Sequence, residues 1–232
     1  MVNIPKSWPA DCEHRARTFY PDFNEAIFES KFSRHEQVQR HGGGKSDRWV
    51  GIWTTPQLSG DLIAKGEAFI ASLDGRKNTF YAYDPDRRAP NGTDLSSALY
   101  AGSTSEYAGA STSYAGAGTA AEIGTVDGAD QTGRSLNTSW PVNSTLVLTA
   151  GDYFQIGNQL LMATADATTD GSGDVEIEFQ PSLRLSPLNN QSIFTINPVM
   201  IARLDEPWKG AQTDAGKFGI ISFSFHEVID NG

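Results

Sequence analysis

Four histidines, a single cysteine and one acidic loop are the residues whose types could do chemistry in this chain. His35 and His41 stand six positions apart, across a strand end and a glycine turn. That is neither a helical i, i+4 pair nor a usual zinc spacing, and it favours surface loop residues over metal ligands. His14 follows Cys12 by two residues, so an extended segment would put both on one face. A thiolate–imidazole pair is chemically possible there, but a lone cysteine near a terminus is more often incidental. His226 falls on the polar side of the last apolar alternation and reads as facing solvent or an interface. The stretch DGSGDVE places Asp170, Asp174 and Glu176 at intervals that loosely evoke a calcium loop. It lacks the central glycine, terminal glutamate and flanking helices of an EF-hand, so a hairpin turn is the better reading. There is no G-x-S-x-G, no Walker loop and no G-x-G-x-x-G after a strand. Gly42, Gly43 and Gly44 lack a following helix that could hold phosphate. Carboxylates are plentiful but scattered. The expectation is a protein without catalysis, metal or cofactor.

The elements that carry these residues read as mainly β. The chain has 232 residues, 38% of them hydrophobic, with five Trp and twelve Phe, enough to build a real core. A formal charge of −10 argues against a nucleic-acid-binding surface, which needs clustered Lys and Arg. One cysteine excludes an intrachain disulfide framework. The opening MVNIPKSWPADCEH has no apolar h-region, and no apolar run is long enough to span a bilayer. The expected setting is a reducing cytosol. FNEAIFESKFSR reads as a half-buried strand, HGGGKSD as a turn, and RWVGIWTT as its hairpin partner with Trp49, Gly51 and Trp53 on one face. SGDLIAKGEAFIASLDG predicts a helix that begins near Ser59 or Asp61 and stops at Gly75. Its stripe of Leu62, Ile63, Gly66, Phe69, Ile70 and Leu73 packs on a sheet. Short β bursts between Gly- and Asp-rich turns follow beyond residue 126, at the spacing of a small barrel or sandwich. The closing KFGIISFSFHEVI alternates cleanly, with Ile221, Phe223 and Phe225 on one face. It resembles the opening hundred residues in character. The architecture expected is one β-domain of residues 1–95 plus 198–232, a loop extension over 96–125, and an inserted β-barrel over 126–197.

The loop extension carries Tyr-Ala-Gly three times at a spacing of seven, on Tyr100, Tyr107 and Tyr114. The glycines oppose a helix, and the odd spacing sends successive tyrosines to opposite faces of a strand. Tyrosine among Gly, Ser and other small residues is the composition of adaptable contact surfaces. The alternative is a flexible linker whose tyrosines tuck against the barrel.

Several of these segments together carry a family resemblance. FESKFSRHEQVQRHGGGKSDRWVGIWTTPQL and AFIASLDGRKNTFYAYDPDRRAPNG resemble the opening domain of minor tail proteins of long-tailed bacteriophages. GADQTGRSLNT and AGDYFQIGNQLLMATADATTDGSGDVEIEFQPSLRLSP look like their inserted portion, and NPVMIARL and GIISFSFHEVI like their closing stretch. The arrangement is most similar to the distal tail protein. The resemblance implies a tail-tube-like β-sandwich with one packed helix, interrupted by an inserted small β-barrel of OB-like type. It also implies a six-membered ring in the virion tail, between the tail tube protein and the baseplate hub or tail fibre proteins. DNA would pass through the lumen without specific binding, helped by an acidic lining. The YAG repeat stands outside the family pattern. A ring subunit presents two different complementary surfaces. The candidates are the N-terminal arm with Phe19 and Phe23, the polar turn with His41, Lys45 and Arg48, and the repeat tyrosines Tyr100, Tyr107 and Tyr114. A carbohydrate-binding adhesin is the alternative, with Trp140 and Tyr153 as weak candidates for stacking on sugars.

Overall fold

A computed structural model describes residues 4–91, 124–208, 210–213 and 218–228. The chain divides into two compact units, Met1–Asp86 with Val199–Gly232, and Arg87–Pro198. In chain order the first unit supplies strands β1 (Arg15–Asp22), β2 (Glu25–Glu29), β3 (Glu36–Arg40), β4 (Arg48–Thr54) and β5 (Leu58–Ser59). Helix α1 (Gly60–Ser72) and β6 (Phe80–Ala82) complete that first pass. The second unit then runs through β7 (Gly124–Val126), β8 (Gly133–Ser139), β9 (Leu146–Leu148) and β10 (Tyr153–Ile156). It ends with β11 (Gln159–Ala163), β12 (Ala167–Thr168), β13 (Asp174–Leu183) and β14 (Ser192–Phe194). The chain returns to the first unit for β15 (Met200–Leu204), β16 (Gln212–Thr213), β17 (Phe218–Ile220) and β18 (Ser222–Glu227). Among the described residues the fold is mainly β, with one α-helix and a closed barrel.

The first unit is built on an antiparallel sheet in the order β1-β4-β18-β15-β6. Residues distant in sequence therefore share its centre: β18 lies between β4 and β15, with Phe223 opposite Trp53 and Phe225 opposite Gly51. Alternation fixes the inner face. Trp49, Gly51 and Trp53 of β4 and Phe223 and Phe225 of β18 are buried, while their neighbours on the outer face are not. Gly51 is required by close approach, because a Cβ there would stand 2.6 Å from the Phe225 ring. The rings of Trp8, His14, Phe80, Tyr83, Phe223 and Phe225 surround Trp53, with centroids 4.2 to 6.1 Å away. Edge-to-face pairs dominate, the arrangement that ring quadrupoles favour. Helix α1 turns Ile63, Gly66, Phe69 and Ile70 inward, and a side chain on Gly66 would collide with Ile221.

The opening hairpin departs from the sequence reading. Strand β2 pairs with β3, not with RWVGIWTT, in the register Glu25↔Arg40, Ile27↔Val38 and Glu29↔Glu36. HGGG is a 3₁₀-helix, His41–Gly44, that leads the chain back into the sheet. Strand β4 instead takes β1 and β18 as neighbours, because an aromatic strand this apolar needs the middle of a sheet. FNEAIFE is not half-buried. Ile27 and Phe28 are each 58% exposed, Val38 52% and Phe32 fully exposed.

The second unit closes its barrel in the order β10-β11-β13-β8-β7-β14, with the short pair β12-β9 beside it. Its core gathers Leu136, Val147, Phe154, Leu161, Ile177 and Phe179 from five strands, all within 1% of full burial. The barrel begins at Gly124, two residues before the boundary at 126 read from the sequence. The stretch SIFTINPVMIARL is shared between the units as β14 and β15.

Candidate assembly surfaces of the first unit

The β2–β3 hairpin has a firm root. Asp47, fully buried, accepts from Arg40 Nη2 at 2.9 Å and from the backbone N–H of Asn24 at 3.1 Å. These two bonds tie both strand ends of the hairpin to the residue that begins the return into β4. The Arg40 guanidinium also lies 4.3 Å above the Phe23 ring, a cation–π contact that fixes the first residue of the arm. Beyond this root both faces of the two-stranded ribbon are open. The arm is positioned, yet its apolar side chains are in water.

Strand β1 forms one edge of the main sheet, and among the described residues no strand pairs with its outer side. Its register with β4 slips between Ala16 and Thr18, leaving Arg17 as the extra residue of a bulge. A bulge re-aims side chains, and Arg17 here lines a groove of about 560 Å³ on the outer face of the sheet. Ile52, Thr54, Ser222, Ser224 and Trp208 line it as well, with Glu206. The Trp208 indole Nε1 is screened from water and has no hydrogen-bond partner among the described residues.

The residues singled out from sequence fare differently. Phe19 belongs to strand β1 rather than a reaching arm, and stacks on Trp49 at 5.2 Å as part of the packing. Phe23 remains 39% exposed at the hairpin root. His41 and Lys45 are exposed on and beside the 3₁₀ turn, and Arg48 pairs loosely with Asp22 at 3.9 Å. Tyr100, Tyr107 and Tyr114 lie outside the described residues. Trp140 and Tyr153 correct the adhesin reading: they are only 4% and 5% exposed. Trp140 is sealed into the barrel core and donates from Nε1 to Thr138 Oγ1 at 2.9 Å. Neither ring offers a face to a sugar.

The chemical candidates are accounted for by packing. Cys12 is buried, its Sγ donating to the Leu62 carbonyl at 3.4 Å. Burial raises its pKa, the opposite of what a thiolate nucleophile needs. His14 packs among Trp8, Trp53 and Tyr83. His226, expected to face solvent or an interface, meets Asp205 at 2.5 Å and keeps only 14% side-chain exposure. His35 sits at the hairpin turn, where its carbonyl accepts from Ser30 N. Among the described residues, no group of three or more His, Cys, Asp or Glu is placed to hold a metal.

In the DGSG loop, Asp170 Oδ1 accepts from Ser172 N at 2.7 Å and Asp174 N at 3.0 Å. The N–H groups of Asp174 and then Ser172 hold its pKa below the ordinary 3.8. A depressed folded value means that the stability Asp170 supplies is complete above pH 3.8 and fades as pH falls through the lower folded value. The urea midpoint of the wild type is therefore expected to drop from about pH 4 downward more steeply than that of Asp170→Asn. The variant keeps an acceptor oxygen but has no charge to lose. Parallel midpoint curves would show that the loop does not depend on the carboxylate.

Neither Arg17 nor Trp208 was legible as a site residue. Nothing in RARTFYPD marks a bulge, and nothing in DEPWK says that the indole reaches a groove beside β4. Set beside known proteins, the chain matches no family model and no curated protein.

Proposed function

We propose that this chain is a structural subunit of a phage tail tip, a ring protein of the distal-tail type that connects the tail tube to the baseplate and receptor-binding apparatus. The sequence resemblance supplies the phage setting, the sixfold ring and the neighbours. The observation that carries the assembly reading is the β2–β3 hairpin. Its root is fixed by a buried carboxylate while Ile27, Phe28, Phe32 and Val38 stand in water. A two-stranded ribbon is marginal on its own, and clustered exposed apolar side chains mark interaction surfaces. The edge of β1, unpaired among the described residues, offers a second, different surface on the same unit. Two unlike surfaces on one subunit support a head-to-tail contact, which closes into a ring when the rotation permits. In this reading the role is mechanical and needs no cofactor, and DNA passes through the lumen unread. The adhesin alternative loses its stacking platform with the burial of Trp140 and Tyr153.

Light scattering and negative-stain imaging of the purified chain test the proposal. The expected result is a hexameric ring. Ile27→Asp with Val38→Asp is expected to release monomers whose circular dichroism is unchanged. A wild type that stays monomeric at its highest soluble concentration, or a ring indifferent to both aspartates, would overturn the reading.

A further inference from the structure

The outer face of the main sheet holds a groove that the hairpin does not occupy in its own chain. We propose that this groove receives the tip of the β2–β3 hairpin from a second copy, with Arg17 facing Glu29 and Glu36 and the groove's apolar floor taking Phe32. The inference rests on the ring reading above and names the two surfaces that meet.

Position is the first argument. The hairpin leaves β1 at Asp22 and returns at Arg48, and these two residues are paired. The groove lies at the other end of the same strands, where Arg15 pairs with Thr54 and Thr54 with Ser222. The length of β4, roughly 20 Å for seven residues, separates them. Projection and receptor at opposite ends of one sheet are what a heterologous contact needs.

Charge is the second. Glu29 and Glu36 are direct cross-strand partners, so their carboxylates share one face of the ribbon. Like charges placed opposite destabilise a hairpin, and these two sit next to the apolar Ile27–Val38 pair on the same face. A cation from outside relieves the repulsion. Arg17 is turned into the groove by its bulge and forms no ion pair among the described residues. The pattern is reciprocal, since Glu206 of the groove matches the tip cations Lys31 and Arg34.

The third argument is apolar contact. Phe32, fully exposed at the tip, gains the apolar contact of Ile52 and the indole.

Charge exchange separates this inference from the reading beneath it. Arg17→Glu is expected to weaken self-association roughly 100-fold, as is the pair Glu29→Arg with Glu36→Arg. The triple variant with all three changes is expected to regain wild-type assembly, because each interface again joins opposite charges. Sedimentation or light scattering over a concentration series reads the shifts, and a thermal melt confirms that these exposed positions leave folding intact. If Ile27→Asp with Val38→Asp dissolves the ring while Arg17→Glu leaves it unchanged, the groove is not the receptor although the ring reading stands. If the triple variant fails to recover, the two charges do not meet and the proposal is overturned. A monomeric wild type overturns both.

Discussion

Asp47→Ala is expected to lower the stability of the first unit by about 3 kcal/mol and to release the hairpin from its root. The carboxylate is wholly buried, whereas Arg40 keeps 22% side-chain exposure. The substitution therefore takes away the acceptor of the Asn24 amide and the anion that the Arg40 guanidinium meets. Hydrogen bonds to charged groups contribute about 1.5–3 kcal/mol each, and breaking a buried pair from one side costs more than the pair is worth intact. The effect has two readouts. Urea unfolding gives the loss in stability, and hydrogen exchange across residues 24–40 reports the arm, which should exchange faster even where the sheet stays protected. Because an ordered arm underlies the assembly reading, Asp47→Ala is also expected to weaken self-association. A variant with wild-type unfolding and unchanged exchange in the arm would mean that the hairpin is held elsewhere.

Trp53→Ala is expected to cost about 3–5 kcal/mol, the largest loss from any single side chain in the first unit. Trp53 is 1% exposed and stands where the N-terminal segment, β4, β6 and β18 converge, touching six rings. Truncation removes those contacts and leaves a cavity that stiff strands cannot close. It also removes the hydrogen bond that the indole donates to the Tyr83 carbonyl at 3.1 Å. Against a total of about 5–15 kcal/mol for an ordinary domain, this is enough to unfold a marginal unit. Trp53→Phe keeps a ring and most of the volume, and is expected to recover more than half of the loss. Chemical denaturation of the pair measures both quantities. A cost below about 1 kcal/mol for the alanine would show that this cluster is not the centre of the core.

Much of the framework was legible because it follows local periodicity. The stripe from Leu62 to Leu73 repeats with the helical turn, and α1 buries Ile63, Gly66, Phe69 and Ile70 of it. RWVGIWT and SFSFHE alternate with period two, and each turns its aromatic side inward. Local periodicity is silent about partners, however. FNEAIFE and RWVGIWT looked like two halves of a hairpin, yet the pairing went to EQVQR, and the exposed ribbon replaced a half-buried strand. RARTFYPD escaped notice as a strand for a related reason. Its inward residues are Ala16, Phe19 and Pro21, and the bulge at Arg17 breaks the period of two.

The same limit governs the site residues. Trp140 and Tyr153 are amphipathic aromatics that suit a core and a binding face equally well by composition. Only the barrel decides that both are inside. Phe19 reads as a reaching side chain until Trp49 is placed beneath it.

By itself, then, the sequence determined a mainly β chain with one helix, a closing strand of the same character as the opening ones, and no recognisable catalytic motif. These properties follow from side-chain type and short-range spacing, which act within a few residues of backbone. Tertiary structure alone decided that β18 lies beside β4, that one hairpin stands free, and that Arg17 and Trp208 border a common groove. The reason is physical: which edges pair, and which faces are left over, depends on the closing of loops more than a hundred residues long, a quantity that no local pattern encodes.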